Sequence, residues 1–133
     1  MSLEFFLDRG MGSRLVPQGL RARGWSITTM DERYGRDHSQ GIEDARWIRE
    51  ASAEGKVVIC KDRNVAKRPL EAQAIYYSEA RVLVLASAQI TGDEMLDHLL
   101  NNEEAIHRLA RRTGPWVQAV YANRLGMIRL NFS

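Results

Sequence analysis

Apolar residues fall in short runs separated by amphipathic stretches. Glu4–Leu7 predicts a strand. Ser13–Arg23 predicts a helix, with Ser13 as N-cap, Leu15, Val16 and Leu20 on one side, and Gly24 at the stop. Trp25–Met30 is a second strand, and polar Asp31–Gly41 reads as a loop. Asp44–Glu54 has a helical stripe of Trp47, Ile48 and Ala51, closed by Gly55. Lys56–Cys60 is the clearest strand, and a basic loop, Arg63–Arg68, follows it. Pro69 opens a third helix, a position that proline tolerates. Arg81–Ala86 is a fourth strand. Thr91-Gly92-Asp93-Glu94 is a capping box ahead of Met95, Leu96, Leu99 and Leu100. Helix then continues or restarts at Asn101 and runs to Arg112, before two short strands, Val117–Ala122 and Met127–Leu130.

Strands separated by helices imply βαβ units and a mostly parallel sheet. The expected fold class is α/β, with a central sheet flanked by helices. A chain of 133 residues fits a single domain over 1–133. No apolar stretch approaches the roughly 20 residues that span a bilayer. No basic segment followed by a long apolar run opens the chain, so a cytoplasmic protein is expected. The lone Cys60 excludes an internal disulfide and a cysteine zinc site; its apolar setting reads as a buried, inert thiol. Net charge is +2, which does not by itself indicate nucleic acid. Of 19 basic residues 16 are arginine, the better bidentate phosphate ligand, though base bias also produces such an excess.

In a parallel α/β sheet, function gathers at the carboxyl ends of the strands. Asp8 follows the first strand, Asp31 and Glu32 the second, and Asp62 with Asn64 the third. Ser87, Ala88 and Gln89 follow the fourth and carry no charge. Helix geometry adds Asp44, which shares the inward stripe with Trp47, Ile48 and Ala51, whereas Glu43 points about 100° away. Asp8, Asp44 and Asp62 therefore converge on one edge. Nearby carboxylates raise one another's pKa, and a hard divalent cation with oxygen ligands compensates them. Each also has a local reading: Asp8 caps a turn, Asp44 caps a helix, Asp62 closes an Asx-turn. Asp31 and Glu32 read as solvated loop. His38, His98 and His107 lack metal-ligand spacing, and the two later ones read as helix-surface residues. Arg9, Arg14, Lys61, Arg63, Lys67 and Arg68 surround the acids. Central carboxylates with a basic rim suit a Mg²⁺- or Mn²⁺-dependent phosphodiester site, in which the rim holds flanking phosphates. Trp25, Trp47, Trp116 and Tyr121 could stack bases, but most tryptophans in so small a chain are core.

Phe6-Leu7-Asp8-Arg9, Gly24-Trp25, Asp31-Glu32-Arg33-Tyr34-Gly35, Asp44 with Trp47, and Cys60-Lys61-Asp62 occur in an order that resembles the PIN-like domain family. The branch is that of the VapC-type toxins of toxin–antitoxin pairs. The step of 18 residues from Asp44 to Asp62 fits as well. The resemblance implies a three-layer PIN-like fold and a metal-dependent ribonuclease held inactive by a cognate antitoxin. By position, Asp8, Asp44 and Asp62 would ligate metal. Asn64 stands where many relatives carry another acid, and would act beside them. Arg9 replaces a carboxylate seen in some relatives. Family members often dimerise, which makes the apolar C-terminal strands a candidate interface.

Two other readings stand beside this one. A degenerate PIN-like module would bind RNA or a partner without turnover, as the Asn64 departure suggests. A Rossmann-type nucleotide binder is suggested by Gly10-Met11-Gly12 after a strand, with Asp31 about 20 residues on. Against it, Leu15 fills the third glycine position and Asp8 would face a pyrophosphate.

Overall fold

The computed structural model describes residues 3–87 and 89–131. Six strands form one sheet in the order β2-β1-β3-β4-β5-β6. They are β1 (Glu4–Leu7), β2 (Ser26–Thr29), β3 (Val57–Cys60), β4 (Arg81–Leu85), β5 (Trp116–Val120) and β6 (Leu125–Met127). All neighbours pair in parallel except β5 and β6. The helices are α1 (Leu15–Ala22), α2 (Met30–Tyr34), α3 (Asp44–Ala53), α4 (Pro69–Tyr77), α5 (Gly92–Asn101) and α6 (Glu103–Leu109). The expected α/β class and mostly parallel sheet are what the structure has.

The strands alternate side chains between two apolar layers. Phe5, Leu7, Val57, Ile59, Leu83 and Leu85 face Val16 and Leu20 of α1, Met95 and Leu99 of α5, and Ile106 of α6. Phe6, Val58, Cys60, Val82 and Val84 face Met30 of α2, Trp47, Ile48 and Ala51 of α3, and Ile75 of α4. With both faces covered, β3 is buried at every position, and its sequence is a continuous apolar run for that reason. Arg81 crosses the amino edge of the sheet. It donates to Gly55 O at 2.8 Å and to Ala110 O, so carbonyls at the ends of α3 and α6 have a cationic partner.

Several expectations need correction. The segment read as loop, 31–41, holds most of α2 and a 3-10 turn at Ser39–Gly41. Thr29 and Glu32 form a reciprocal capping box that starts α2 directly from the end of β2. Ser13 does not cap α1; Arg14 stands at that position without a side-chain bond. The basic stretch after β3 contains a 3-10 turn, Arg63–Ala66. The helix after Thr91 breaks at Asn102, whose buried amide donates to His98 O and Tyr121 O. The last strands lie one to three residues earlier than expected. Ala88 lies outside the described residues.

The order 2-1-3 means that the chain leaves β1 for one side of the sheet and later returns to the other. The carboxyl ends of β1 and β3 therefore flank a topological switch point, where open α/β sheets leave a crevice.

Candidate active site at the carboxyl edge

The backbone N–H of Asp8 donates to Ile59 O at 3.0 Å, pinning the exit of β1 against β3. The Asp8 Oδ1 accepts the Gly10 N–H at 2.7 Å, so the local capping role is real. Burial pushes the Asp8 carboxyl up to about 6, and the Asp44 charge adds to this. The backbone N–H groups of Gly10 and Lys61, with the Arg9 charge, act in the opposite sense. Among the described residues, no side chain donates a hydrogen bond to Asp8.

Asp62 follows β3 and uses one oxygen in the same way. Its Oδ1 accepts the Asn64 N–H at 2.9 Å, an Asx-turn that opens the 3-10 turn. Its Oδ2 lies 2.7 Å from the Arg68 guanidinium. Asp44 is the first residue of α3, and the N-cap is Glu43. Asp44 Oδ1 accepts the Trp47 indole N–H at 2.9 Å and an Arg9 N–H at 3.3 Å, while Oδ2 is 3.6 Å from Arg68. The inward stripe therefore does turn Asp44 toward the sheet edge, one helical turn from the buried Trp47.

One cleft of about 540 Å³ is lined by Asp8, Asp44, Asp62 and Asn64, together with Arg9, Gly10, Lys61 and Arg63. Arg14 and Lys67 are exposed and stand outside this lining. Arg63 donates to Ala86 O at 3.2 Å. Arg9 is employed differently from the rim role expected of it. It turns inward and donates to Ser39 O at 3.0 Å and Ile42 O at 2.6 Å, besides Asp44. It thus ties the exit of β1 to the loop that delivers α3. Arg68 joins Asp62, Asp44 and Glu71, the last at 3.0 Å; burial lowers its pKa, and Asp62 and Glu71 outweigh this and raise it.

Sequence reasoning did not find Ser39 or Gln40, and it set Asp31 aside as solvated. Ser39 is fully buried, and its hydroxyl donates to Asp31 Oδ1 at 2.6 Å. The signal was available for Asp31, since it follows the second strand as Asp8 follows the first. Ser39 and Gln40 carried none. Trp25 and Trp47 are core residues; His107, expected on the helix surface, is instead half-buried, stacked on Phe5 and tilted against Trp25. Burial, with the Asp8 charge beside it, pushes the Cys60 thiol well up, as expected of an inert cysteine.

Among the described residues, no three His, Cys, Asp or Glu side chains stand grouped closely enough to hold a metal ion as they lie. The chemistry of the donors nevertheless fits a hard cation. Three carboxylates and one amide line a single cleft, and all can offer oxygen. Asp8 is desolvated without an arginine bonded to it. Asp44 and Asp62 have arginines close by, so a cation could join them only if Arg68 withdrew.

A family model described as a PIN like domain matches residues 3–87. A similar protein is "Putative ribonuclease VapC45" of Mycobacterium tuberculosis, 31% identical over 120 residues, which cover 90% of this chain and 87% of that protein. No solved structure matches the chain. The matched segment contains β1 through β4 and every acid of the cleft, and the chain belongs to the PIN-like domain family, in its VapC-like branch.

Proposed function

We propose that this protein is a divalent-metal-dependent endoribonuclease and the toxin component of a toxin–antitoxin pair. One observation carries the reading: Asp8, Asp44 and Asp62 line one cleft at the switch point of the sheet, with Asp8 half-buried and without a bonded arginine. The ribonuclease named among its relatives supports RNA as the substrate.

In this reading Asp8, Asp44 and Asp62 hold Mg²⁺ or Mn²⁺, which when bound polarises the scissile phosphate and acidifies water. The Gly10 and Lys61 N–H groups orient the Asp8 carboxylate. Trp47 and Arg9 orient that of Asp44. The Asn64 amide positions water beside the acids. Lys61, Arg63, Lys67 and Arg14 attract the RNA backbone, and Arg68 joins them when it leaves Asp62. A cognate antitoxin would keep the enzyme silent in the cell.

Cleavage of labelled RNA with Mn²⁺ tests the reading. Asp8→Asn and Asp62→Asn should each reduce the rate on the order of 100-fold or more, since even residues that merely orient metal ligands are worth 10–100-fold. Undiminished cleavage by both variants would remove the assignment. A second reading, an RNA-binding module without turnover, is favoured by the arginines that neutralise Asp44 and Asp62. It requires RNA binding without cleavage and a melting temperature that Mn²⁺ does not move.

A further inference from the structure

A second, smaller pocket lies on the other side of Asp8, between the carboxyl ends of β1 and β2. We propose that it is a base-binding subsite, and that Asp31 and Gln40 select adenine or cytosine there over uracil and guanine. The proposal rests on the ribonuclease reading.

The pocket holds about 150 Å³. A cavity of about that volume accommodates a benzene ring, so a single flat base is the right scale. It shares Asp8 and Arg9 with the larger cleft, which makes a base seated here a neighbour of the reacting phosphate. Thr29 and Met30, both almost fully buried, also line it, and Asp31, Gln40 and Ser13 give it polar edges. Gly12 also lines the pocket. Its φ is +80°, a conformation side chains rarely adopt, and a Cβ there would meet nothing within 4 Å.

Two carboxylates line the pocket against one arginine, and that arginine is engaged by Asp44, Ser39 O and Ile42 O, so the balance disfavours a phosphate and favours a ligand rich in N–H donors. Asp31 is a fixed acceptor, because the buried Ser39 hydroxyl holds its Oδ1 at 2.6 Å. Gln40 supplies both a donor and an acceptor. An amino group beside an unprotonated ring nitrogen complements that pair, the amino group donating to Asp31 and Gln40 donating to the ring nitrogen. Adenine and cytosine present this edge. Seated in the pose of cytosine, uracil turns its O4 toward the carboxylate. Guanine presents two adjacent donors, best met by both oxygens of one carboxylate, and one Asp31 oxygen is already engaged. Single-stranded RNA is commonly read through such edges.

Two measurements decide it. In the first, wild type and Asp31→Asn cut a random-sequence RNA pool with Mn²⁺. Wild-type cuts should be enriched about ten-fold in adenine or cytosine at one flanking position, the discrimination expected of one good base contact. Asp31→Asn, whose amide can donate to a carbonyl, should shift that position toward uracil and raise KM for adenine- and cytosine-containing substrates. The same base profile in both proteins overturns the proposal, as does a wild-type profile without preference. In the second, wild type is titrated with cytidine, adenosine, uridine and guanosine by NMR, without metal. Cytidine and adenosine should shift the amides of Asp31, Gln40 and Ser13, and the other two should not. Equal shifts, or none, overturn it. If wild type cuts no RNA, the nuclease reading falls by itself, and the nucleoside titration still decides the pocket.

Discussion

Each end of the sheet is crossed by an arginine that gathers carbonyl oxygens. At the amino edge Arg81 donates to Gly55 O and Ala110 O, where α3 and α6 end. At the carboxyl edge Arg9 donates to Ser39 O and Ile42 O, where the chain enters α3. The difference lies in what else each guanidinium meets. Among the described residues Arg81 meets no carboxylate, and burial lowers its pKa unopposed. Arg9 meets Asp44, and Arg68 beside it meets Asp44 and Asp62. The amino edge is therefore a finished structural joint. The carboxyl edge is a joint in which the same bonds restrain groups that chemistry would need.

The comparison breaks most visibly at Gly114, on the amino side. A Cβ there would stand 2.2 Å from Glu79 O and 2.6 Å from Ala80 O, both backbone atoms that cannot swing aside. Gly114→Ala should lose about 3 kcal/mol, the upper part of the usual range for overpacking. Urea unfolding followed by circular dichroism measures this, and an unchanged midpoint would show that the joint is soft.

The carboxyl edge should respond with the opposite sign. Asp8 has its folded pKa raised to about 6 from the ordinary 3.8, chiefly by burial. Both states are protonated well below pH 4, so no penalty exists there. Between the two values the folded protein holds a proton that the unfolded chain has released, and stability falls as pH rises. Above about pH 6 the penalty is complete. Asp8→Asn in EDTA should therefore gain about 3 kcal/mol at pH 8, from about 1.4 kcal/mol for each unit, and the gain should vanish near pH 3.5. A gain independent of pH would place its origin elsewhere than in the carboxyl. Arg81→Met, a smaller effect, should lose about 1–2 kcal/mol as two carbonyls lose their partner, without changing RNA cleavage per folded molecule.

The two edges also differ in how far they could be read from residues alone. Val57–Cys60 was plain because burial on both faces demands an apolar run, and Asp8 and Asp62 because strands end in predictable places. Their capping and functional readings looked like alternatives. The structure has each acid spend one oxygen on a local N–H, so the local role leaves the other oxygen for something else. The helix α2 was missed although Thr29 and Glu32 carry the same capping signature that identified Thr91 and Glu94. A strand ends on Thr29, and the polar residues beyond it looked like loop. The positions of Arg9 and Arg81 were not legible. Their partners are backbone carbonyls 26 to 33 residues distant, and carbonyls have no sequence signature.

The finest distinction between the edges falls on Arg68. Its side chain is 39% exposed, so its ion pairs with Asp62 and Asp44 are screened and individually weak. A divalent cation must nonetheless displace them to reach both acids. Arg68→Gln removes the competing charge and leaves a side chain able to accept or donate. Mn²⁺ should then bind a few-fold more tightly by calorimetry, a change of about 1 kcal/mol, comparable with an exposed ion pair. RNA should bind more weakly, with a shallower dependence on salt, because one phosphate contact is gone. The two shifts have opposite signs, which a general loosening of the site would not produce. Weaker binding of both Mn²⁺ and RNA would instead make Arg68 a structural joint like Arg81, and the contrast between the two edges would end at Arg9.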